Sequence, residues 1–218
     1  MKKFMAMVLV VISLLTVTAF AENAVLDENQ KEELYYFGIM TGDENGDLRL
    51  NDNITRAEVT KMICVAGNVS PKEPDANETL FPDVLQEHWA YKYIYAAKNK
   101  GIIIGDENGC FNPEDNITNE EIIKMIICLL GYEPMAETRG GYPAGYTSQA
   151  SRLGLTDGMT FEVNVPAIRN DVAVMMHRAL DVPLMEKVED SEEFMYVILD
   201  GNGNERKTLS SEILSVIK

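Results

Sequence analysis

A stretch of eighteen residues occurs twice in this chain in nearly identical form, and this repeat is the strongest constraint on the fold. It reads GDENGDLRLNDNITRAEV from Gly42 and GDENGCFNPEDNITNEEI from Gly105, 63 residues later. A shorter motif, Gly-apolar-x-x-Gly, occurs three times, beginning at Gly38, Gly101 and Gly154. Repeats of this kind indicate units that bury little apolar surface alone and therefore pack on one another. The sequence thus predicts three tandem units, of which the third is degenerate.

Each motif is followed by an apolar pattern with the spacing of one helix face. The apolar positions are Val59, Met62, Ile63 and Ala66, then Ile122, Met125, Ile126 and Leu129, then Val172, Met175, Met176 and Ala179. In the first two copies a Thr-x-x-Glu capping box starts the helix, with Thr55 in one and Thr118 in the other. The third copy has Ile168 at that position. A second helix is predicted before each glycine motif, so each unit is a helix–loop–helix.

The first residues are predicted to be a signal peptide, because a basic start is followed by an apolar run and by Ala19-Phe20-Ala21. An uncleaved membrane anchor is the alternative; the run is slightly short for a stable span. With cleavage before Glu22, no further membrane insertion is expected. The predicted divisions are a signal peptide at 1–21, units at 22–68, 80–133 and 134–185, a linker at 69–79, and an acidic linker with a β-hairpin tail at 186–218.

The formal net charge of the chain is −16, which disfavours nucleic acid and anionic membranes as partners. An anionic ligand must then be held at individual arginines. The three cysteines, Cys64, Cys110 and Cys128, are too few for a disulfide scaffold and are predicted to be buried free thiols. His88 and His177 are both predicted to lie in helices as structural residues. No catalytic motif, metal-ligand pattern or cofactor motif is found, so an enzyme is not expected.

Calcium binding is weighed because Asp43, Asn45 and Asp47 occupy positions 1, 3 and 5 of a loop resembling those of dockerin modules. Leu48 then stands where that loop needs glycine, and Ile54 where it needs a bidentate acid. The pattern favours a Gly/Asn/Asp turn over a calcium site.

The arginine after Thr55 is more informative. Arg56 lies at the first position of its helix, where a cation is mildly unfavourable because the backbone N–H groups already make this end positive. An anion bound there would contact both the helix terminus and a two-pronged donor. From the spacing alone, an exposed arginine without a ligand is equally compatible.

Residues 80–131 resemble the S-layer homology domain. The resemblance rests on Phe81-Pro82-Asp83, His88-Trp89-Ala90, Gly101 to Gly105, Gly109 to Pro113 and Ile117 to Glu121. The first unit is similar to the family over 34–67, with an intact Ile-Thr-Arg-Ala-Glu at 54–58, and the third unit is weakly similar over 142–183.

The resemblance implies a mainly α fold, in which three units pack as a helical pseudo-trimer. It also implies noncovalent attachment to a cell-wall polysaccharide carrying pyruvate ketals, whose carboxylate is contacted by the arginine of the Thr-Arg-Ala-Glu motif in a groove between units. Carried over by position, Arg56 and Glu58 form the first site pair, beside Thr55, and Arg169 and Asp171 form the second.

Two further positions are assigned through the same resemblance. Trp89 either lines a groove against a sugar ring or packs in the core, and both remain open. In the second unit the motif reads Thr118-Asn119-Glu120-Glu121, so a neutral amide replaces the arginine. The groove that includes Asn119 and Glu121 is therefore expected to be weakened or unused.

The leading hypothesis is a secreted wall-binding module on the cell surface, with a possible protein cargo through its tail. A calcium-dependent interaction module is one rival. A structural or assembly protein whose grooves no longer bind is the other.

Overall fold

The computed structural model describes residues 24–74, 80–160, 162–187, 194–196 and 207–217. The predicted signal peptide lies outside these residues. The elements are α1 (Glu28–Tyr36), α2 (Arg56–Ala66), α3 (Tyr91–Asn99), α4 (Asn119–Leu129), α5 (Glu133–Glu137), α6 (Ala144–Arg152), α7 (Arg169–Ala179), β1 (Met185–Lys187), β2 (Phe194–Tyr196) and α8 (Leu209–Ile217). The predicted mainly α fold is confirmed. Every helix within the described ranges is too short or too polar to cross a bilayer.

Three helix pairs form the units: α1 with α2, α3 with α4, and α6 with α7. The chain leaves the first helix of each pair through the opening glycine of the repeated motif. Gly38, Gly101 and Gly154 have φ values of 69°, 71° and 75°. Only glycine adopts this left-handed conformation without steric cost, which explains why the motif begins with it.

The second helix of each pair starts as the sequence predicts. The Thr55 hydroxyl accepts a hydrogen bond from the Glu58 N–H (3.2 Å), and the Glu58 carboxylate accepts one from the Thr55 N–H (3.0 Å). Thr118 and Glu121 form the same box at α4. At α7, Ile168 is the N-cap and offers no side-chain cap.

The units are joined to one another in a closed ring. The first helix of a unit packs on the second helix of the preceding unit: α3 on α2, α6 on α4, and α1 on α7. Just before the second helices, short antiparallel bridges link all three units, at Thr55–Asn116, Thr118–Pro166 and Asn53–Ile168. The starts of α2, α4 and α7 therefore converge, and their apolar faces share one core.

Apolar burial is continuous across the units. Ile63, Ile126 and Met176, one from each second helix, are fully buried in the same cluster. Burying side chains of this size stabilises a fold by about 1.5–3 kcal/mol each relative to leaving them exposed. Because the cluster is shared, no single unit holds a complete core.

The C-terminal part differs from the prediction. Phe194–Tyr196 is a strand and pairs antiparallel with Met185–Lys187, a segment for which no strand was predicted. The predicted turn at 200–203 lies outside the described residues. Leu209–Ile217 is a helix that the prediction missed; Leu209 and Ile213 are buried on one side of it. Short helix α5 was also not predicted.

The cysteines and histidines correct two smaller expectations. All three cysteines are free, but only Cys64 is fully buried, whereas Cys110 and Cys128 are partly buried. Burial raises the pKa of the Cys64 thiol to about 12. His88 lies in the turn before α3, not in a helix, and its Nδ1 accepts from the Ala90 N–H. His177 lies in α7 as predicted.

Candidate functional site

Two open grooves lie between units, each at the start of a second helix. The groove between the first and second units has a volume of about 300 Å³ and is called here the Arg56 groove. The groove between the third and first units has a volume of about 200 Å³ and is called the Arg169 groove. Both arginines occupy the first position of their helices, α2 and α7.

Arg56 is held by the neighbouring unit. Its Nε donates to the Phe111 carbonyl (2.8 Å), and its Nη1 donates to Glu121 Oε1 (2.7 Å). The guanidinium carbon lies 4.8 Å from the centre of the Phe111 ring. Three contacts of different kinds thus fix the position of one cation, and its second terminal nitrogen, Nη2, has no hydrogen-bond partner among the described residues.

Arg169 repeats this arrangement against the first unit. Its Nε donates to the Leu48 carbonyl (2.8 Å), and its Nη1 donates to Glu58 Oε1 (3.0 Å). Leu48 occupies the repeat position of Phe111. Within the described part of the chain, Nη2 of Arg169 is likewise unbonded.

Each arginine makes its ion pair with a residue outside its own predicted site pair. Those pairs, Arg56 with Glu58 and Arg169 with Asp171, were carried over from the family motif and stay predictions as site residues. In the structure each arginine contacts an acid of another unit, so the pairs are Arg56–Glu121 and Arg169–Glu58. Each arginine–glutamate pair therefore lies at an interface between repeats.

Each paired glutamate has two roles, one for each oxygen. In Glu121, Oε2 accepts from the Thr118 N–H (2.9 Å) as part of the capping box, and Oε1 holds Arg56. Glu58 divides its oxygens in the same way between Thr55 and Arg169. The capping box thus orients the arginine of the adjacent unit. Thr55, expected in the site, is placed as a helix cap.

A lysine and an aromatic residue complete each open groove. Lys124 and Tyr142 line the Arg56 groove, and Lys61 and Trp89 line the Arg169 groove. Trp89 is 52% exposed and Tyr142 48% exposed. The open question about Trp89 is thus answered, because it lies in a groove and not in the core. All three units contribute to each groove. The aromatic residue of the Arg56 groove, Tyr142, comes from the third unit, and that of the Arg169 groove, Trp89, comes from the second unit.

Tyr142 and Lys61 were not predicted, although a signal existed. Trp89 immediately precedes Ala90, the N-cap of α3, and Tyr142 immediately precedes Pro143, the N-cap of α6. Lys61 and Lys124 each lie five positions after the first residue of their helices. Aligning the repeats by helix start would have found both.

The interface between the second and third units is formed by the corresponding helices, but different side chains occupy the positions that line the open grooves. Asn119 stands in the place of the arginine and is 3% exposed, and Asp171 stands in the place of the glutamate and is 5% exposed. The lysine position is the buried Val174, and the aromatic position, before the N-cap of α1, is the buried Leu26. All four side chains are buried, so among the described residues these positions line no groove at this closed interface.

Electrostatics agree with this closure. Burial raises the pKa of the Asp171 carboxyl, only partly opposed by a hydrogen bond from the Asn170 amide. Asn119 Oδ1 is buried without a hydrogen-bond partner in the described part of the chain. A buried carboxyl and an unpartnered amide oxygen make this interface unfavourable for an external anion.

The loops weighed as calcium sites use their carboxylates internally. Asp43 Oδ1 accepts from the N–H groups of Asn45 (2.8 Å) and Asp47 (3.1 Å). Asp106 does the same with Asn108 and Cys110. These hydrogen bonds hold the pKa of both aspartates below its usual value. Both loops thus form the predicted turns. Among the described residues, no group of three or more metal-ligating side chains is found.

The comparison with known families bears on these interfaces. The model of the S-layer homology domain matches residues 32–60 and 80–123, which include Arg56, Glu58, Trp89, Asn119 and Glu121. The chain is an S-layer homology domain protein. The third unit lies beyond the matched segments, in agreement with its degenerate motif.

Relatives point to the cell surface. The middle cell wall protein of Brevibacillus brevis is 30% identical over 202 residues, covering 92% of this chain and 18% of the relative. A cell surface protein of Thermoanaerobacter kivui is 29% identical over 161 residues, covering 73% and 20%. An endoglucanase of a Bacillus species is 32% identical over 96 residues, covering 44% and 10%.

The chain spans a fifth or less of the length of these relatives. The S-layer homology domain is a binding module that anchors proteins to the cell wall, and the chain belongs at the cell surface. Since such modules also occur beside enzymes, the expectation that the protein is not an enzyme applies to the module alone.

Proposed function

We propose that the chain binds an anionic polysaccharide of the cell wall, carrying pyruvate ketals, in the Arg56 groove and the Arg169 groove. The proposal rests on one observation, the presence or absence of the same three side chains at each interface. Arginine, lysine and an exposed aromatic residue occur together at both open interfaces, and none of the three occurs at the closed interface. Packing alone does not require this coincidence, because the closed interface packs without them.

The chemistry of the three side chains fits a charged sugar. A guanidinium fixed through Nε and Nη1 presents Nη2 to a carboxylate with little loss of side-chain entropy. The lysine adds a second positive charge, and an exposed aromatic ring offers an apolar face to a sugar ring. A small number of oriented polar groups beside an aromatic wall is typical of ligand sites.

Two grooves on one module also suit a polymer. When two sites engage one wall, the second binding event is intramolecular, and the overall affinity exceeds that of either site. We therefore infer that wall attachment uses both grooves together. The partner protein expected through the C-terminal tail stays a prediction, as do the unit boundaries.

The experiment is co-sedimentation of residues 22–218 with cell-wall sacculi, intact or stripped of their secondary polysaccharide. Variants Arg56→Ala, Arg169→Ala and the double variant are compared with Arg152→Ala, which removes an exposed arginine at the end of α6, outside both grooves. The proposal expects binding to intact sacculi only, weakened in each single variant, lost in the double variant and unchanged in Arg152→Ala.

An assembly protein with inactive grooves remains the second candidate, and the closed interface is the observation that favours it. If intact and stripped sacculi retain the protein equally, or if the double variant binds as the wild type does, the polysaccharide proposal is wrong.

A further inference from the structure

A third cation lies beside the Arg169 groove. Arg49, in the loop before α2, has a side chain that is 47% exposed. Its Nη2 lies 3.8 Å from Glu58 Oε1, the oxygen that holds Arg169 at 3.0 Å. Its Nη1 lies 3.9 Å from Asp52 Oδ2. Two guanidinium groups from different units therefore flank a single carboxylate oxygen at the groove.

The Arg56 groove has no such group. The repeat position of Arg49 is occupied there by Asn112, which lines the groove. Asp106 and Asp115 also line it, beside Glu121, so acids outnumber the two cations Arg56 and Lys124. In the Arg169 groove Glu58 is the one acid among the lining residues described, against Arg169 and Lys61. Counted over these lining residues alone, the Arg56 groove has an excess of acids and the Arg169 groove an excess of cations.

This difference matters at short range. Two unit charges about 4 Å apart interact several times more strongly near a protein surface than in bulk water, because the effective dielectric constant is lower there. Because the overall field of the chain is strongly negative, an anion is held more strongly where local cations exceed local acids.

We propose that Arg49 is a further ligand-binding residue and that the Arg169 groove is the tighter of the two grooves for an anionic sugar. The inference rests on the proposed function. The exposed guanidinium of Arg49 reaches the groove from the solvent side. There it can replace its weak contact with Glu58 by a contact with a ligand carboxylate. Trp89, on the same groove, supplies the aromatic face.

The chain offers a matched exchange to test this. Arg49 has φ of 50° and Asn112 has φ of 56°, so both occupy the left-handed region. Asparagine tolerates that region better than most residues. Arg49→Asn thus places at this position the residue that the second unit already uses in the same conformation. Asn112→Arg is the reverse exchange.

The chain also contains its own reporter, because Trp89 is the single tryptophan and lines the Arg169 groove. Its fluorescence is titrated with a methyl hexoside carrying a pyruvate ketal, at a fixed pH near 7.5, since His88 stacks 5.7 Å from the indole. Calorimetry on the same samples measures binding at both grooves. The methyl hexoside without the ketal is the neutral control.

The proposal expects the Trp89 signal to follow the tighter of two calorimetric phases. Arg49→Asn weakens the constant reported by Trp89 by up to about fivefold, the upper end of the range for one partly exposed charge contact. Asn112→Arg leaves the Trp89 constant unchanged and tightens the weaker phase. A Trp89 signal that follows the weaker phase, or an unchanged Trp89 constant in Arg49→Asn, overturns the inference.

Failure of this inference and failure of the proposed function give different results. If the wild type shows neither heat nor a fluorescence change with the ketal, the polysaccharide proposal fails and this inference falls with it. If two sites of equal affinity bind the ketal and Arg49→Asn has no effect, the proposed function stands and the ranking of the grooves is wrong.

Discussion

The open grooves and the closed interface share a backbone and differ in a few side chains. At all three interfaces a short antiparallel bridge precedes the start of a second helix. At the open interfaces the first helical residue is an arginine, whereas at the closed interface it is Asn119. From this difference we infer that backbone hydrogen bonds and apolar burial hold the ring of helices together. The side chains at four positions then decide whether an interface has an open groove.

The largest contrast is expected between Arg169→Ala and Asn119→Ala. Truncating Arg169 removes a fixed cation from an open groove and should weaken binding of the ketal hexoside about tenfold to a hundredfold, since hydrogen bonds to charged groups contribute about 1.5–3 kcal/mol. The same truncation at Asn119 should leave binding unchanged. Calorimetry measures both, with a thermal melt to show that each variant is folded. Equal losses in the two variants would erase the distinction between the interfaces.

Next in size is the aromatic wall. Trp89→Ala and Tyr142→Ala should each weaken binding in one groove by about threefold to tenfold, the effect of losing an aromatic contact of about 0.5–1.5 kcal/mol. Because both rings are about half exposed, the melting temperature should change little. Leu26→Ala is the counterpart at the closed interface. It should leave binding unchanged and lower stability by about 2–5 kcal/mol, as truncation of a buried leucine does.

A smaller effect, confined to stability, is expected for Thr55→Ala. Thr55 caps α2, and loss of such a cap costs about 1 kcal/mol. The affinity for the ketal hexoside should stay within a factor of about two, because the backbone N–H of residue 55 still holds Glu58 Oε2 and Thr55 does not line the groove. Urea unfolding and calorimetry separate the two effects. A tenfold loss of affinity with unchanged stability would restore Thr55 to the binding site.

The smallest effect concerns pH. Because burial raises the pKa of Asp171 in the folded state, ionising it costs folding free energy. The cost is absent below the ordinary pKa of 3.8, where both states are protonated, and is complete above the raised pKa. Asp171→Asn should therefore be more stable than the wild type at pH 7, with a difference that disappears as the pH falls below 3.8. A difference that grows on acidification would mean that the Asp171 carboxylate is stabilised in the fold.

Much of the fold follows from local sequence signals. The capping boxes at Thr55 and Thr118 and the glycine at the end of each first helix depend on neighbouring residues alone, so the sequence predicted them. Helix α8 had signals of the same kind that were overlooked. Thr208 accepts from the Ser211 N–H at its start, and Leu209 and Ile213 have helical spacing. The preceding Asp-Gly-Asn-Gly favoured a hairpin instead.

The site was harder to predict because its pairs are formed between units. In sequence, Glu58 is the nearest acid to Arg56, but its carboxylate bends back to cap α2 and reaches Arg169 of another unit. No local rule gives that contact. The weakness expected at Asn119 stays a prediction. The buried Leu26 and Val174 occupy the corresponding positions of that interface, and only the ring of helices brings them there.

The central claim is that the chain has two ligand sites, located by Arg56 and Arg169, and none at Asn119. Calorimetric titration of the wild type with the ketal hexoside tests it most directly through the number of sites. The account predicts two sites per chain, one in Arg56→Ala, one in Arg169→Ala, none in the double variant and two in Asn119→Ala. A wild-type value of one or three, or the loss of a site in Asn119→Ala, would contradict it.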